Sequence, residues 1–402
     1  MSASAVTSSS QSNFRRLLLP VYVPTLLSST SLEALLVLLP LSVLESGTGA
    51  AVAAVLIGLR GVGMVLFDLP VGVFLARLGD KPVVFSGLIA LTLSALLFAL
   101  SSNFWVMSFA ATLSGVGFTA WLMGRQSFIT GSIDIGERGR AIAVMAGIMR
   151  LGSFVGPAAC ALVAAEYGFR MAFIVLALVM GGATLLVYIF TPDEQPEHPT
   201  RVAAVASIAR IISQYRKAFA TGGLASAGLQ LMRAAKLLLI PLFGHFLGMG
   251  VVEIGLIISL SALVDTALFY PVGIVMDRYG RKWTGVPCLL LFTVSLAILP
   301  LATGFYSLLG ISLLAGVANG LGTGLLLTLG SDLAPTRSRG EFLGVWQLVG
   351  DMGLVGGPLL IGVFIQFASI DAAAIAIAGI GLVSTAILYF LVDETIVKEA
   401  RE

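Results

Sequence analysis

The chain is short of charge. Only 11% of its 402 residues are Asp, Glu, Lys or Arg, against roughly 25% in a typical soluble protein, and that shortage excludes a globule dissolved in water. The net charge of +2 provides no basic surface for a nucleic acid. Cysteine is scarce too. Cys160 and Cys288 each lie inside an apolar run, which excludes a disulfide framework and a thiolate metal cluster. Two lone histidines, His198 and His245, read as incidental rather than as switches. There is no Gly-x-Ser-x-Gly elbow, no His-Glu-x-x-His and no Gly-x-x-x-x-Gly-Lys-Ser/Thr loop, so nothing points to an enzyme or to a chain that hydrolyses ATP. No metal or other cofactor is expected. A receptor would need a soluble output domain, and the longest loop has about 26 residues once spans are drawn at membrane length.

What is present is apolar: 58% of the residues are hydrophobic. A hydrocarbon core about 30 Å thick takes about 20 helical residues. That ruler places spans near 17–44, 50–76, 83–101, 104–131, 140–164 and 170–191, then near 218–247, 251–276, 283–302, 305–331, 341–367 and 371–392. The Ser-rich start lacks the layout of a cleavable signal, so the first span is expected to remain as an insertion signal. The connection 192–217 opens with Pro192, Pro196 and Pro199 among acids. It continues as an apolar stretch carrying Arg201, Arg210, Arg216 and Lys217, which suits a surface amphipathic helix and a plain linker equally well.

Lys and Arg are sorted by position, and positive loops stay in the cytoplasm. With the N-terminus inside, 17 of the 23 bases fall in cytoplasmic segments, only Arg170 lies outside, and Arg60, Arg125, Arg150, Arg233 and Lys236 lie within spans. Both termini are therefore expected to be cytoplasmic.

The chain is also duplicated. At an offset of 201 residues, Pro70-Val71-Gly72 with Arg77, Gly79 and Lys81 matches Pro271-Val272-Gly273 with Arg278, Gly280 and Lys282. The same offset carries Arg138-Gly139 onto Arg339-Gly340, and Gly152, Gly156 and Pro157 onto Gly353, Gly357 and Pro358. Duplicated apolar chains of this length are how many secondary transporters are built. The expected domains are 1–191 and 218–402, joined by a cytoplasmic linker, 192–217.

Gly273-x-x-x-Asp277-Arg278-x-Gly280-Arg281-Lys282 joins spans 8 and 9, and on this motif the chain resembles a major facilitator superfamily transporter over essentially its whole length. Glycine there permits a tight turn and close helix approach, and the charges suit a cytoplasmic latch. The first copy, around Gly72, Arg77 and Gly79, departs from the pattern, with Ala76 in place of the aspartate and Asp80 in place of a base. Gly152-x-x-x-Gly156-Pro157 and its copy at Gly353, Gly357 and Pro358 resemble the antiporter signature of the twelve-span drug:proton antiporters. Small residues and proline there set close packing and a bend. The arginine that this family places four residues before a glycine in span 4 is replaced here by Ala111. The resemblance implies an all-α membrane protein of twelve helices in two pseudo-symmetric six-helix bundles, exporting its substrate by alternating access.

Ionisable residues within spans cost about 2.5 kcal/mol or more each to insert and are functional candidates by default. In the resembled family spans 1, 4, 7 and 10 line the cavity. Glu33 in span 1 is the leading proton and cation site, with a carboxyl whose pKa desolvation would raise; a fixed ion pair with Arg233 is the competing reading. Arg233, Lys236, Arg125 and Asn319 complete the candidate proton and substrate site. Arg150 with Asp265 forms a candidate gating pair, and Arg60 with Asp351 a candidate brace. Gln347, Trp121, Trp346, Phe118 and Phe128 are weaker candidates, better explained by packing or helix-to-helix bonding, and Asp68 reads equally as a partner for a nearby base and as a helix-end acid facing headgroups. The expected function is proton-coupled efflux of a lipophilic cationic or neutral compound from the cell through the plasma membrane, by a protein acting as a monomer. Its partners are a small-molecule substrate, protons and the lipid bilayer. The alternative is a carrier of a small organic anion or metabolite using Arg125, Arg233 and Lys236.

Overall fold

The computed structural model describes residues 17–133, 135–192, 205–335 and 339–395, and among these every regular element is a helix. Hydrocarbon has no hydrogen-bond partners for backbone N–H and C=O groups, so a spanning chain must satisfy them within itself. We number the helices α1 (Val23–Glu45), α2 (Ala50–Leu78), α3 (Asp80–Leu100), α4 (Phe104–Ser132), α5 (Ile135–Phe190), α6 (Val205–Gln214), α7 (Leu224–Phe246), α8 (Val251–Tyr279), α9 (Lys282–Ala297), α10 (Phe305–Leu321), α11 (Leu325–Leu333), α12 (Arg339–Phe367) and α13 (Ile370–Phe390).

Among the described residues ten helical stretches are long and apolar enough to cross a membrane. One of them, Gly139–Phe190, has 52 residues, roughly twice what a bilayer needs. It breaks at Gly168, whose φ of 81° and ψ of 164° are not helical. That break supplies the junction between spans 5 and 6. The ninth span is the short α9, extended by a 3-10 turn at Leu299–Leu301. Counted so, the described residues hold twelve spans, with the ten-residue α6 outside them.

The backbone repeats in the same register as the sequence. Shifting α1 and α2 by 201 residues gives the bounds of α7 and α8, and shifting α4 gives Phe305–Leu333, the combined length of α10 and α11. The π-helical turn Leu18–Tyr22 before α1 recurs as Phe219–Gly223 before α7. Gly47 and Gly248 both have φ of 75°, and Gly79 and Gly280 end α2 and α8 at φ of 84° and 115°. Pro40 and Pro241 sit inside α1 and α7 in the same relation.

Two compact units emerge, one of residues 1–38 and 62–202, the other of 39–61 and 203–402. In the first, Leu32, Val84, Leu88, Leu91, Trp121, Met180 and Val187 form an apolar core. In the second, Ile211 at the end of α6 is buried, while the Tyr215 ring meets Phe342 edge-on at 5.5 Å and Phe219 lies against Phe342 and Trp346. The stretch after the central connection thus packs on α12 through its aromatic end.

The paired glycines explain how α5 and α12 approach their neighbours. A Cβ built on Gly152 or Gly156 collides with Ser29 or the Thr30 backbone of α1, and one built on Gly353 collides with the Ala227 carbonyl of α7. At Gly357 the first atom met is the Leu231 carbonyl oxygen, at 3.0 Å. The same close approach therefore operates in each half. Gly72 and Gly273 correct the sequence reading: both lie inside helices, and a Cβ on either meets nothing within 4 Å. The turns of the loop motif belong to Gly79 and Gly280.

Gly156→Val should lower the stability of the detergent-solubilised protein by about 1–3 kcal/mol, the usual cost of overpacking. Gly273→Ala should leave it within about 0.5 kcal/mol of wild type or slightly stabilise it, because Ala is the better helix former. Thermal unfolding of the two variants side by side checks both.

Candidate functional site

Three helices of the second unit join a chain of polar side chains. Arg233 comes from α7, Asp265 from α8 and Asn319 from α10, and Asn319 bridges the other two. Its Oδ1 accepts from Arg233 Nε at 2.9 Å, and its Nδ2 donates to Asp265 Oδ2 at 2.7 Å. The guanidinium also donates through Nη1 to Gln230 Oε1 at 2.9 Å and through Nη2 to the Gly322 carbonyl at 2.8 Å. Arginine's fixed fork of donors is thus spread over three neutral oxygens.

The Gly322 carbonyl is within reach because the tenth span is interrupted. α10 ends at Leu321, α11 starts at Leu325, and Gly324 between them has a left-handed φ of 76°. Broken backbone at membrane depth survives only where protein groups satisfy it, and Arg233 provides one such donor. A side chain at position 322 has no room, since a built Cβ falls 2.6 Å from Cys288 Sγ and 3.3 Å from Arg233 Nη2. The span reading did not anticipate this break. Its signal was the run Gly320-Leu321-Gly322-Thr323-Gly324, with three glycines in five positions.

The other candidates are distributed as follows. Glu33 is half-buried on α1 between the buried Leu32 and Ala34. Lys236 is buried on α7, one turn after Arg233, and Arg150 is half-buried on α5. Asp351 is buried on α12, where both carboxylate oxygens accept from Gln347 Nε2 at 3.1 Å. Asp68 Oδ1 accepts from Thr119 Oγ1 of α4 at 3.2 Å. Arg125 is buried inside the first unit. It donates to Thr25 Oγ1 at 3.4 Å and Met149 Sδ at 3.2 Å, and its guanidinium carbon lies 4.0 Å from the Trp121 ring centre.

The loop motif between α8 and α9 is held by residues that its spacing did not reveal. Arg281 pairs with Asp332 at the end of α11, Nε to Oδ2 at 2.8 Å, and more loosely with Asp277 at 3.6 Å, whose side chain is 77% exposed. Glu394, beyond α13, accepts from the backbone N–H groups of Arg281 and Lys282 at 2.8 and 3.1 Å. Its carboxylate covers the start of α9, where the helix dipole favours negative charge. Thr395 Oγ1 donates to Asp332 Oδ2 at 2.6 Å, and Lys282 Nζ donates to the Tyr389 carbonyl at 2.8 Å. The first copy lacks the acid: Gly131 stands where the second half has Asp332. Among the described residues Arg77 makes no ion pair.

A spanning helical fold, internally duplicated and carrying a polar network around an interrupted helix, defines a membrane carrier. The family model described as Major Facilitator Superfamily matches residues 21–239 and 222–402, and the chain belongs to that superfamily; it is a transporter, not an enzyme. It is 23% identical over 333 residues to the "Multidrug resistance protein MdtH" of Sodalis glossinidius (strain morsitans), covering 79% of this chain and 78% of that one. It is 24% identical over 343 residues to the "Chromaffin granule amine transporter" of Rattus norvegicus, covering 82% of this chain and 64% of the rat protein. Among solved structures, a POT family transporter in complex with a thioalcohol-conjugated peptide superposes with a TM-score of 0.76 at 11% identity, covering 93% of this chain and 94% of that one.

Replacing Asn319 with Leu removes the acceptor of the Arg233 Nε–H and the donor to Asp265 Oδ2. The loss should be about 1–3 kcal/mol, the range for hydrogen bonds to charged groups, read as a lowered thermal midpoint. Asn319→Gln, which keeps an amide, should recover part of it.

Proposed function

We propose that this transporter exports a lipophilic cationic or neutral compound in exchange for protons, by alternating access of the two six-helix halves, 1–191 and 218–402, with Glu33 as the exchangeable acid. Glu33 is the observation that carries the reading. A carboxylate within a span costs about 2.5 kcal/mol or more on insertion scales, and the scaffold does not require one there, since the equivalent position in the second half is Ala234. A cation then competes with the proton for the same negative charge, which couples the two fluxes. The names of two relatives, a multidrug resistance protein and an amine transporter, fit such a cargo.

Asp265, Asn319 and Arg233 form the substrate-responsive part of the second half in this proposal, with Lys236 and Arg125 as further polar contacts. Arg150, Asp265, Asp351 and Arg60 are assigned to coupling on their places in the sequence. The protein is placed in the plasma membrane as a monomer with both termini cytoplasmic. The second reading, an anion carrier, is favoured by five bases within spans against Glu33, Asp68, Asp265 and Asp351. The occupied donors of Arg233 weigh against it.

Glu33→Gln should abolish proton-driven extrusion of a fluorescent lipophilic cation from energised everted vesicles while the protein still reaches the membrane in normal amount. Extrusion by that variant at the wild-type rate would remove Glu33 from the mechanism.

A further inference from the structure

Each of the three guanidinium nitrogens of Arg233 meets a different oxygen. Nε donates to Asn319 Oδ1 at 2.9 Å, Nη1 to Gln230 Oε1 at 2.9 Å and Nη2 to the Gly322 carbonyl at 2.8 Å. The acceptors come from α10, from α7 itself and from the interruption of the tenth span. They therefore stand around the flat cation at its three corners, whereas a carboxylate fork pairs with one of its sides. The oxygens are neutral, yet two features draw positive charge to them. Asp265 Oδ2 accepts from Asn319 Nδ2 at 2.7 Å, and that bond polarises the amide and strengthens Oδ1 as an acceptor. The Gly322 carbonyl lies at the C-terminal end of α10, where the helix dipole favours a cation.

Arg233, Asp265 and Asn319 are each half-buried rather than sealed in the core, as a site that loads and releases must be. The first half does not repeat the arrangement. Leu32, Phe118 and Trp121 hold the places of Arg233, Asn319 and Gly322, so a chain has one such cradle.

We propose that Gln230, Asn319 and the Gly322 carbonyl recognise planar N–H cations, guanidinium or amidinium, that Arg233 is their occupant in this conformation, and that the cargo takes its place. This substrate class rests on the cation-export reading above and narrows it. A guanidinium cargo remakes the three bonds that Arg233 gives up, so no oxygen of the cradle is left unpaired. A quaternary ammonium has no N–H and would leave all three unpaired, and an unmade hydrogen bond in a buried site costs more than a made one returns. A site selects by that difference in affinity.

The test uses the full-length protein purified in detergent, with tritiated benzylguanidinium bound in competition with its unlabelled form or with benzyltrimethylammonium, which keeps the ring and the charge but has no N–H. One benzylguanidinium per chain is expected. Benzyltrimethylammonium should compete more weakly by a factor of about ten or more, roughly what one hydrogen bond to a charged group is worth. Gln230→Leu and Asn319→Leu should each weaken benzylguanidinium severalfold. Arg233→Ala removes the competing occupant and should tighten benzylguanidinium by a larger factor than benzyltrimethylammonium, a comparison from which the lost charge repulsion cancels. No saturable binding, equal competition by the two cations, or binding unchanged in both Gln230→Leu and Asn319→Leu overturns the proposal even if Arg233→Ala does not fold; so does weaker binding by a folded Arg233→Ala. Proton flux in liposomes separates this claim from the export reading. Selective binding with no proton flux keeps the cradle and contradicts proton exchange, while equal binding and equal flux with both cations keeps proton exchange and removes the cradle.

Discussion

Hydrocarbon offers no partner to an open backbone N–H or C=O group, and that constraint shapes everything else in this chain. It makes the spans helical and drives helix contacts down to glycine, where backbone can press on backbone at Gly156 with Thr30 and Gly353 with Ala227. It also gives meaning to the interruption of the tenth span between two helical pieces, Gly322 to Gly324. There a side chain joins the backbone, the Gly322 carbonyl accepting from both the Arg233 guanidinium and the Leu325 N–H.

The two halves share a scaffold and divide the chemistry. Residues that shape backbone recur at the offset of 201: Pro40 with Pro241, Gly47 with Gly248, Gly79 with Gly280, and Gly152 and Gly156 with Gly353 and Gly357. The bases Arg77, Lys81 and Arg138 recur as Arg278, Lys282 and Arg339, but the ionisable and bridging residues within the spans do not recur as the same residue. Glu33 faces Ala234 across the repeat, Arg125 faces Leu326, Asp265 faces Met64, Asn319 faces Phe118, and Gly322 and Gly324 face Trp121 and Met123. Duplication thus supplied the packing, while each half carries its own polar centre. In the first half that centre is a buried arginine, in the second an arginine tied into a network.

Much of the fold was legible in the sequence because spans and repeats are local or periodic signals. Run length located the spans, and the 201-residue register fixed their pairing. The site was less legible, since its bonds join distant positions. Arg233 meets Asn319 across 86 residues, Asn319 meets Asp265 across 54, and Arg281 meets Glu394 across 113. No spacing rule links such pairs. The sequence singled out Arg233, Asp265 and Asn319 individually, from the cost of polar groups in lipid, but not the bridge between them. Asp332 and Glu394 went unnoticed because acids near helix ends are common. Gly72 and Gly273 were assigned a turn and a close contact; both sit within helices whose ends are made by Gly79 and Gly280 seven residues later.

The central claim is that proton movement and substrate movement are coupled in one chain. Purified wild-type protein in liposomes loaded with a pH-sensitive dye puts this directly to the test, with lipophilic cations, neutral compounds and organic anions added in turn. Proton flux evoked by cations or neutral lipophiles, and absent from protein-free liposomes, is the predicted result. Flux evoked by anions alone, or substrate uptake with no proton movement, would contradict it.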